Sequence, residues 1–395
     1  MKVHVKSNVY WVGKIDWELE EFHGSDFTIN NGSSQNAYLI REEKNILIDT
    51  VWTPHAEEFV SNLEKEIPLE DIDFIVINHG EPDHAGSLSH LMSKIPETPI
   101  YCTENAKKSL IGQHHHPEWN FNIVKTGDSL AVSKDKSLVF VEMKMLHWPD
   151  SMASYLTGDN ILFSNDAFGQ HYALEALFND KADQDTLMHE ALKYYANILT
   201  PFSPLVKKKI EEIVALNIPI DIIAPSHGSI WRENPMQIVE KYMQWCEDYQ
   251  ENQITIVYDT MWNGTMRIAH RLADEIRDIS PDTTVKIFNI SKTNKNDIMT
   301  EVFKSKAIAL GSPTVGRDIL SSVGGWLHFL KELKYKNKKA AVFGCYGWSG
   351  EGNKVLRGTL EECGFAVISP EMKVNWNPTE ENLSETKALA EALID

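Results

Sequence analysis

Apolar positions along the chain follow two grammars, and the change between them falls near residue 250. Up to that point short strand-like runs dominate, at residues 10–13, 36–40, 45–49, 74–77, 100–102 and 138–141. Helix-like segments at 55–66 and 86–94 interrupt them, so the spacing predicts a strand-rich α/β region. Residues 235–249 predict a helix, with proline near the first turn and Ile238, Tyr242 and Trp245 at helical spacing. The polar stretch 250–253 that follows is the natural boundary, which divides the chain into 1–250 and 251–395. Beyond it, nearly continuous apolar runs at 254–258, 285–290, 307–310, 340–343 and 366–369 alternate with helix-length segments. That alternation predicts a doubly wound parallel sheet.

Length supports the division, because 395 residues exceed one typical domain and suffice for two cores. Charge narrows the partners. With 38 Lys and Arg against 57 Asp and Glu, the net charge of −19 repels nucleic acid and anionic lipid surfaces. No apolar run approaches the roughly 20 residues needed to span a bilayer, and the start of the chain carries no apolar signal stretch. A soluble, cytoplasmic protein is expected. The four cysteines, Cys102, Cys246, Cys345 and Cys363, contain no C-x-x-C pair and predict reduced thiols.

Candidate chemistry concentrates in His79-Gly-Glu-Pro-Asp-His84, where four candidate metal ligands crowd into six residues after a strand-like run. The same pattern with histidine in place of Glu81 is the dizinc signature of the metallo-β-lactamase fold. A carboxylate at that position points toward iron. Further candidates sit at the ends of strand-like runs: His147, Asp166 and His227. Four imidazoles and three carboxylates are too many for one ion and fit two, especially if one carboxylate bridges. The triplet His114-His-His116 reads as a turn, since adjacent imidazoles converge poorly on one ion.

In the second region, Tyr258-Asp-Thr-Met-Trp-Asn-Gly-Thr265 joins a strand to a helix and offers hydroxyls and backbone N–H groups without a Lys or Arg. That suits a neutral phosphate site at a helix N-terminus, and Gly-Lys-Ser/Thr of an ATP-binding P-loop is missing. Two later strand ends add Gly311-Ser-Pro-Thr-Val-Gly316 and Gly344-Cys-Tyr-Gly-Trp-Ser-Gly350. Candidate ligand contacts in these three loops are Thr260, Met261, Trp262, Asn263, Gly264, Thr265, Ser312, Pro313, Thr314, Gly316, Gly344, Cys345, Tyr346, Gly347, Trp348 and Gly350.

Taken together these motifs resemble the flavodiiron proteins (A-type flavoproteins) along essentially the whole chain. His147-Trp-Pro-Asp-Ser-Met152, Ser164-Asn-Asp-Ala-Phe-Gly-Gln170 and Tyr194-Tyr-Ala-Asn197 are also similar to motifs of that family. The resemblance implies a metallo-β-lactamase-like αββα sandwich followed by a flavodoxin-like FMN domain. It implies a first iron held by His79, Glu81 and His147, a second by Asp83, His84 and His227, and Asp166 bridging both. His23 and Tyr195 are then candidates for the irons' surroundings, weighed against a satisfied histidine and a packed aromatic. The implied reaction is reduction of O2 to water, NO to N2O, or both, with electrons from rubredoxin or a similar donor, in a head-to-tail homodimer that can pair further. Related chains often carry Asn-Asn at Gly316-Arg317, and Ser or Ala at Cys345. An acidic donor needs a basic patch, for which Lys331, Lys334, Lys336, Lys338 and Lys339 are candidates. The competing readings are a dizinc metallo-β-lactamase-like hydrolase with an accessory flavodoxin domain, and a flavoprotein electron carrier whose metal is structural.

Overall fold

The computed structural model describes residues 2–395 and separates into two compact units. The first runs up to Tyr194 and resumes over Phe202–Met243; the second comprises Tyr195–Pro201 and Gln244–Asp395.

Two sheets face each other in the first unit. A seven-stranded sheet has the order Val3–Lys6, Val9–Trp11, Tyr38–Arg41, Asn45–Ile48, Phe74–Val76, Ile100–Cys102, Phe121–Ile123. Its first four strands pair antiparallel and the rest parallel. A five-stranded sheet has the order Ser129–Ala131, Ser137–Glu142, Met152–Leu156, Ile161–Asn165, Ile222–Pro225. Side chains alternate across a strand, and here both faces are apolar because both are covered. Tyr38, Ile40, Ile46, Ile48 and Val76 meet Phe140, Met152 and Phe163 of the other sheet. Leu39, Leu47 and Ile75, one residue out of phase, pack against Phe59, Val60 and Leu63 of helix Ala56–Glu64 and against Leu110 of helix Glu104–His114. On the far side Phe168 rests on Tyr242 from helix Met236–Trp245. The result is helix, sheet, sheet, helix.

The second unit is built on a parallel sheet in the order Thr284–Asn289, Glu251–Tyr258, Ser305–Gly311, Lys339–Tyr346, Ala366–Val367, which is the 2-1-3-4-5 order of a doubly wound fold. A further strand, Met372–Asn375, continues along Lys339–Tyr346 and had no counterpart in the apolar pattern, where Lys373 and Asn375 interrupt the run. Ile254 and Ile256 pack with Ile268, Leu272 and Ile276 of helix Gly264–Ile279 and Leu389 of helix Thr386–Ile394.

The polar stretch 250–253 is not a linker. Glu251, Asn252 and Gln253 open the first strand of this sheet. Gln253 is buried, and its Nε2 donates to the Glu301 carbonyl at 2.9 Å, so its amide is satisfied inside the core. Among the described residues no helix is long and apolar enough to cross a membrane.

Candidate metal centre and flavin site

In the first unit the seven candidate ligands all leave strand ends. The segment carrying His79 to His84 follows Phe74–Val76 and coils into the short helix Pro82–Ala85, with Pro82 at its first turn and Glu81 at its N-cap. His147 follows Ser137–Glu142, Asp166 follows Ile161–Asn165, and His227 follows Ile222–Pro225. Backbone and side-chain bonds tie these ends together: Ser226 N–H donates to Asn165 O (2.9 Å), Met152 N–H to Asn78 O (2.9 Å), and Ser154 Oγ to Asn78 Oδ1 (2.6 Å).

Two groups of ligand atoms result, His79 with His147 and Asp166, and Asp83 with His84 and His227, each within 4.8 Å. Asp166 faces both. Its Oδ2 lies 3.7 Å from His79 Nε2 and 3.6 Å from His147 Nε2, whereas its Oδ1 lies 3.0 Å from His84 Nε2 and 3.5 Å from His227 Nε2. Glu81 Oε2 joins the first group, 3.1 Å from His79 Nε2 and 3.5 Å from His147 Nε2. Asp83 Oδ2 joins the second, 3.3 Å from His84 Nε2 and 3.0 Å from His227 Nε2.

The outer nitrogens are committed elsewhere. His79 Nδ1 pairs with Asp150 Oδ1 (3.1 Å), and His227 Nδ1 donates to the Ser34 carbonyl (2.9 Å). Each ring therefore presents Nε2 to the cluster, as ligating histidines do. Asp83 Oδ2, His84 Nε2 and Asp166 Oδ2 are buried in ion-pair contact yet lack a hydrogen bond of good geometry, and Asp83 Oδ1 is buried with no hydrogen-bond partner. Such orphaned atoms are costly unless a cation satisfies them. Burial opposes charge on every one of these groups; at His147 it prevails and lowers the imidazole, whereas among the others mutual attraction wins. Against desolvation, His84 and His227 hold the Asp166 and Asp83 carboxyls well below the usual range. Against the same penalty, Asp150 and Glu81 raise His79 to about 10, and Asp166 and Asp83 raise His227 to about 9. Bound metal ions take the place of those protons. The donor set fits two hard or borderline cations.

His23 stands in the predicted neighbourhood, its Nε2 2.9 Å from Glu81 Oε1. Tyr195 does not. Its ring packs on Trp245 and Phe303 and its hydroxyl meets Cys246 Sγ at 3.1 Å, because successive residues of the turning helix end point to different faces. The preceding residue, Tyr194, packs instead on His171 (5.4 Å between centroids). His171 was missed. It is fully buried beside His227, with Nδ1 on Ser33 Oγ (2.8 Å) and Phe22 and Phe27 against its ring. Its place one residue beyond Gly-Gln170 was the only signal. The histidine triplet forms a helix end, with His115 in a left-handed cap and His116 stacked on Trp119.

In the second unit a cavity of about 480 Å³ opens at the carboxyl ends of the parallel strands, a volume suited to a flavin nucleotide. Thr260, Met261, Trp262, Gly264, Thr265, Pro313, Thr314, Gly316, Cys345, Tyr346, Gly347 and Trp348 line it, from all three predicted loops. The Thr260 and Thr265 hydroxyls are buried without a partner, at the start of helix Gly264–Ile279, whose N-cap has no side-chain bond. Unfilled donors at a helix N-terminus fit a phosphate. Four expected contacts play other parts. Asn263 takes the left-handed N-cap position, and Ser312 Oγ accepts from Leu320 N. A Cβ on Gly344 would come within 2.1 Å of the Ser312 carbonyl, and one on Gly350 within 2.0 Å of the Lys373 stem. Conversely Arg317, Ser349, Trp376 and Asn377 line the cavity without having been candidate contacts; the last two directly follow the unpredicted strand Met372–Asn375. The lysine edge also shrinks, since Lys338 is buried on the carbonyls of Phe303 and Ser305 and Lys331 pairs with Glu362 at 2.7 Å.

Comparison with known proteins matches both regions of the chain. Residues 33–228 match the family described as ODP family beta lactamase, and residues 256–388 match Flavodoxin. The anaerobic nitric oxide reductase flavorubredoxin of Vibrio vulnificus is 53% identical over 387 residues, covering 98% of this chain and 78% of that protein. The structure of rubredoxin oxygen:oxidoreductase from Desulfovibrio gigas superimposes with a TM-score of 0.96 at 34% identity, covering 100% of this chain and 98% of that one. The flavodiiron protein of Giardia intestinalis gives 0.94 at 32% identity, covering 99% and 95%. With a metallo-β-lactamase-like domain and a flavodoxin domain matched in order, the chain belongs to the flavodiiron proteins, of the flavorubredoxin type.

Proposed function

We propose that this chain is an oxidoreductase that reduces nitric oxide to nitrous oxide, and dioxygen to water, with electrons passed through FMN. The observation that carries the reading is Asp166, whose two oxygens face two separate ligand groups. In this reading His79, Glu81 and His147 would hold one iron and Asp83, His84 and His227 the other, with Asp166 offering an oxygen to each group. Two bound ferrous ions supply one electron each and adjacent positions for a small diatomic, and reduced FMN supplies two electrons more.

The chain's own residues shape what reaches that point. Asp150 and Ser34 orient His79 and His227. Phe22, packed on His23, His171 and His227, and Phe27 on His171, give the pocket an aromatic wall that excludes water and suits an apolar gas. His23, about one-third exposed, carries an N–H between solvent and Glu81, where a proton can be delivered. Two NO take two electrons and two protons to give N2O and water; O2 takes four of each to give two waters. Nitric oxide leads because the 53% identical relative is named a nitric oxide reductase. Dioxygen stays as the second reading because the 34% identical neighbour is named an oxygen oxidoreductase.

Rubredoxin or a similar small carrier is the proposed donor, as the name of that neighbour suggests. Trp262, Trp348 and Trp376 are exposed at the flavin cavity, and so large an uncovered aromatic rim supports a head-to-tail homodimer. Four free cysteines support a reducing, cytoplasmic setting. The test is metal and flavin analysis, then anaerobic reduction and stopped-flow mixing with NO and with O2 in parallel. About two irons and one FMN per chain, with fast reoxidation by NO, are expected. Zinc with no reoxidation by either gas would sink the reading.

A further inference from the structure

The flavin cavity is lined almost wholly by neutral side chains. Among the described residues its single charged lining residue is Arg317. The phosphate end needs no cation, since Thr260, Thr265 and the start of helix Gly264–Ile279 offer neutral donors there. Arg317 comes from a different loop, after the strand Ser305–Gly311. That loop is pinned: Val315 N donates to Asp318 O and Asp318 N to Val315 O, both at 2.9 Å, with Arg317 at φ 67° between them. Its side chain is 83% exposed and its ion pair with Glu351 Oε1 is long, 3.8 Å from Nε, so little of its charge is neutralised. Asp318 is its neighbour in sequence and bonds the Ile319 N–H. Lys373, the next cation, stands 4.9 Å from the Tyr346 ring centroid but does not line the cavity.

Oxidised FMN has a neutral ring. Two electrons and one proton convert it to a reduced ring bearing one negative charge, while the phosphate charge is unchanged. A fixed cation on the cavity wall therefore favours the reduced ring over the oxidised one. We propose that Arg317 is a positioning residue for charge that raises the midpoint potential of the bound flavin, making FMN a better acceptor from its donor. This rests on the FMN reading of the cavity.

The experiment is spectroelectrochemical titration of FMN-loaded wild type, Arg317→Gln, Arg317→Lys and Glu351→Gln, alongside dissociation constants for oxidised FMN. Gln and Lys both keep the backbone demands of the left-handed position, so charge is the variable. Arg317→Gln is expected to shift the ratio of reduced to oxidised affinity by up to tenfold, a fall of about 30 mV for a two-electron couple. Arg317→Lys should stay near wild type and Glu351→Gln should rise. The differences should shrink at about 1 M salt, where the Debye length is about 3 Å. Equal potentials in wild type and Arg317→Gln overturn the proposal. So does a loss of oxidised-FMN affinity at unchanged potential, which would assign Arg317 to the phosphate. Failure of wild type to bind FMN would instead remove the flavin reading itself.

Discussion

Asp150 shows how one buried carboxylate serves the site without belonging to it. Its Oδ1 holds His79 Nδ1 at 3.1 Å and its Oδ2 accepts from Gly80 N–H at 2.9 Å, which fixes both the ring and the loop that carries it. Asp150→Asn is expected to weaken metal affinity or activity by about 10–100-fold; wild-type metal content after dialysis against a chelator would count against this. Lys338 is the corresponding case in the second unit. Its ammonium donates to the carbonyls of Phe303, Ser305 and Tyr249, three acceptors for three N–H groups. Lys338→Met leaves those carbonyls unpaired and should cost about 3 kcal/mol in urea unfolding. At this scale the crowded ligand candidates of the 79–84 run were legible, because four of six adjacent residues are ligand-type side chains. His171 and Asp150 were not, since one histidine or aspartate in sequence carries no record of the ring it will touch.

At the scale of elements, helix Glu104–His114 links fold and site. Thr103 caps it, accepting from Ala106 N at 3.1 Å and donating to Asp150 O at 3.0 Å, while Gln113 near its other end donates to Gly80 O at 2.6 Å. Thr103→Ala should cost about 1–2 kcal/mol of stability and release metal faster; a purely thermal effect with unchanged metal off-rate would show that the helix does not brace the loop. In the second unit the strand Lys339–Tyr346 passes close to Ser312, and Gly344 leaves no room for a Cβ. Gly344→Ala is expected to lower FMN affinity at least tenfold by pushing the two loops apart, read by flavin fluorescence; unchanged affinity would sink it. The existence and type of the predicted strands were legible from period-two and continuous apolar runs. The start of Glu251–Tyr258 was hidden because its first residues are polar, and Asn252 and Gln253 are satisfied by partners 30 and 48 positions away.

For the whole molecule, the two compact units should respond separately to their cofactors, since a ligand stabilises the state that binds it. Removing metal is expected to lower the first unit's calorimetric transition and leave the second nearly unmoved, and removing FMN should do the reverse. A single transition that shifts equally with either would contradict this. The sequence by itself determined the two α/β grammars, the crowding of ligand-type side chains and the three loops at strand ends, because periodicity and local crowding are written in adjacent residues. Tertiary structure alone decided which oxygen of Asp166 faces which group, that Tyr194 rather than Tyr195 lies by His171, and that Arg317 and Trp376 line the flavin cavity. Those outcomes depend on side-chain direction and on contacts between distant segments, which the packing of strand ends sets and local pattern does not encode.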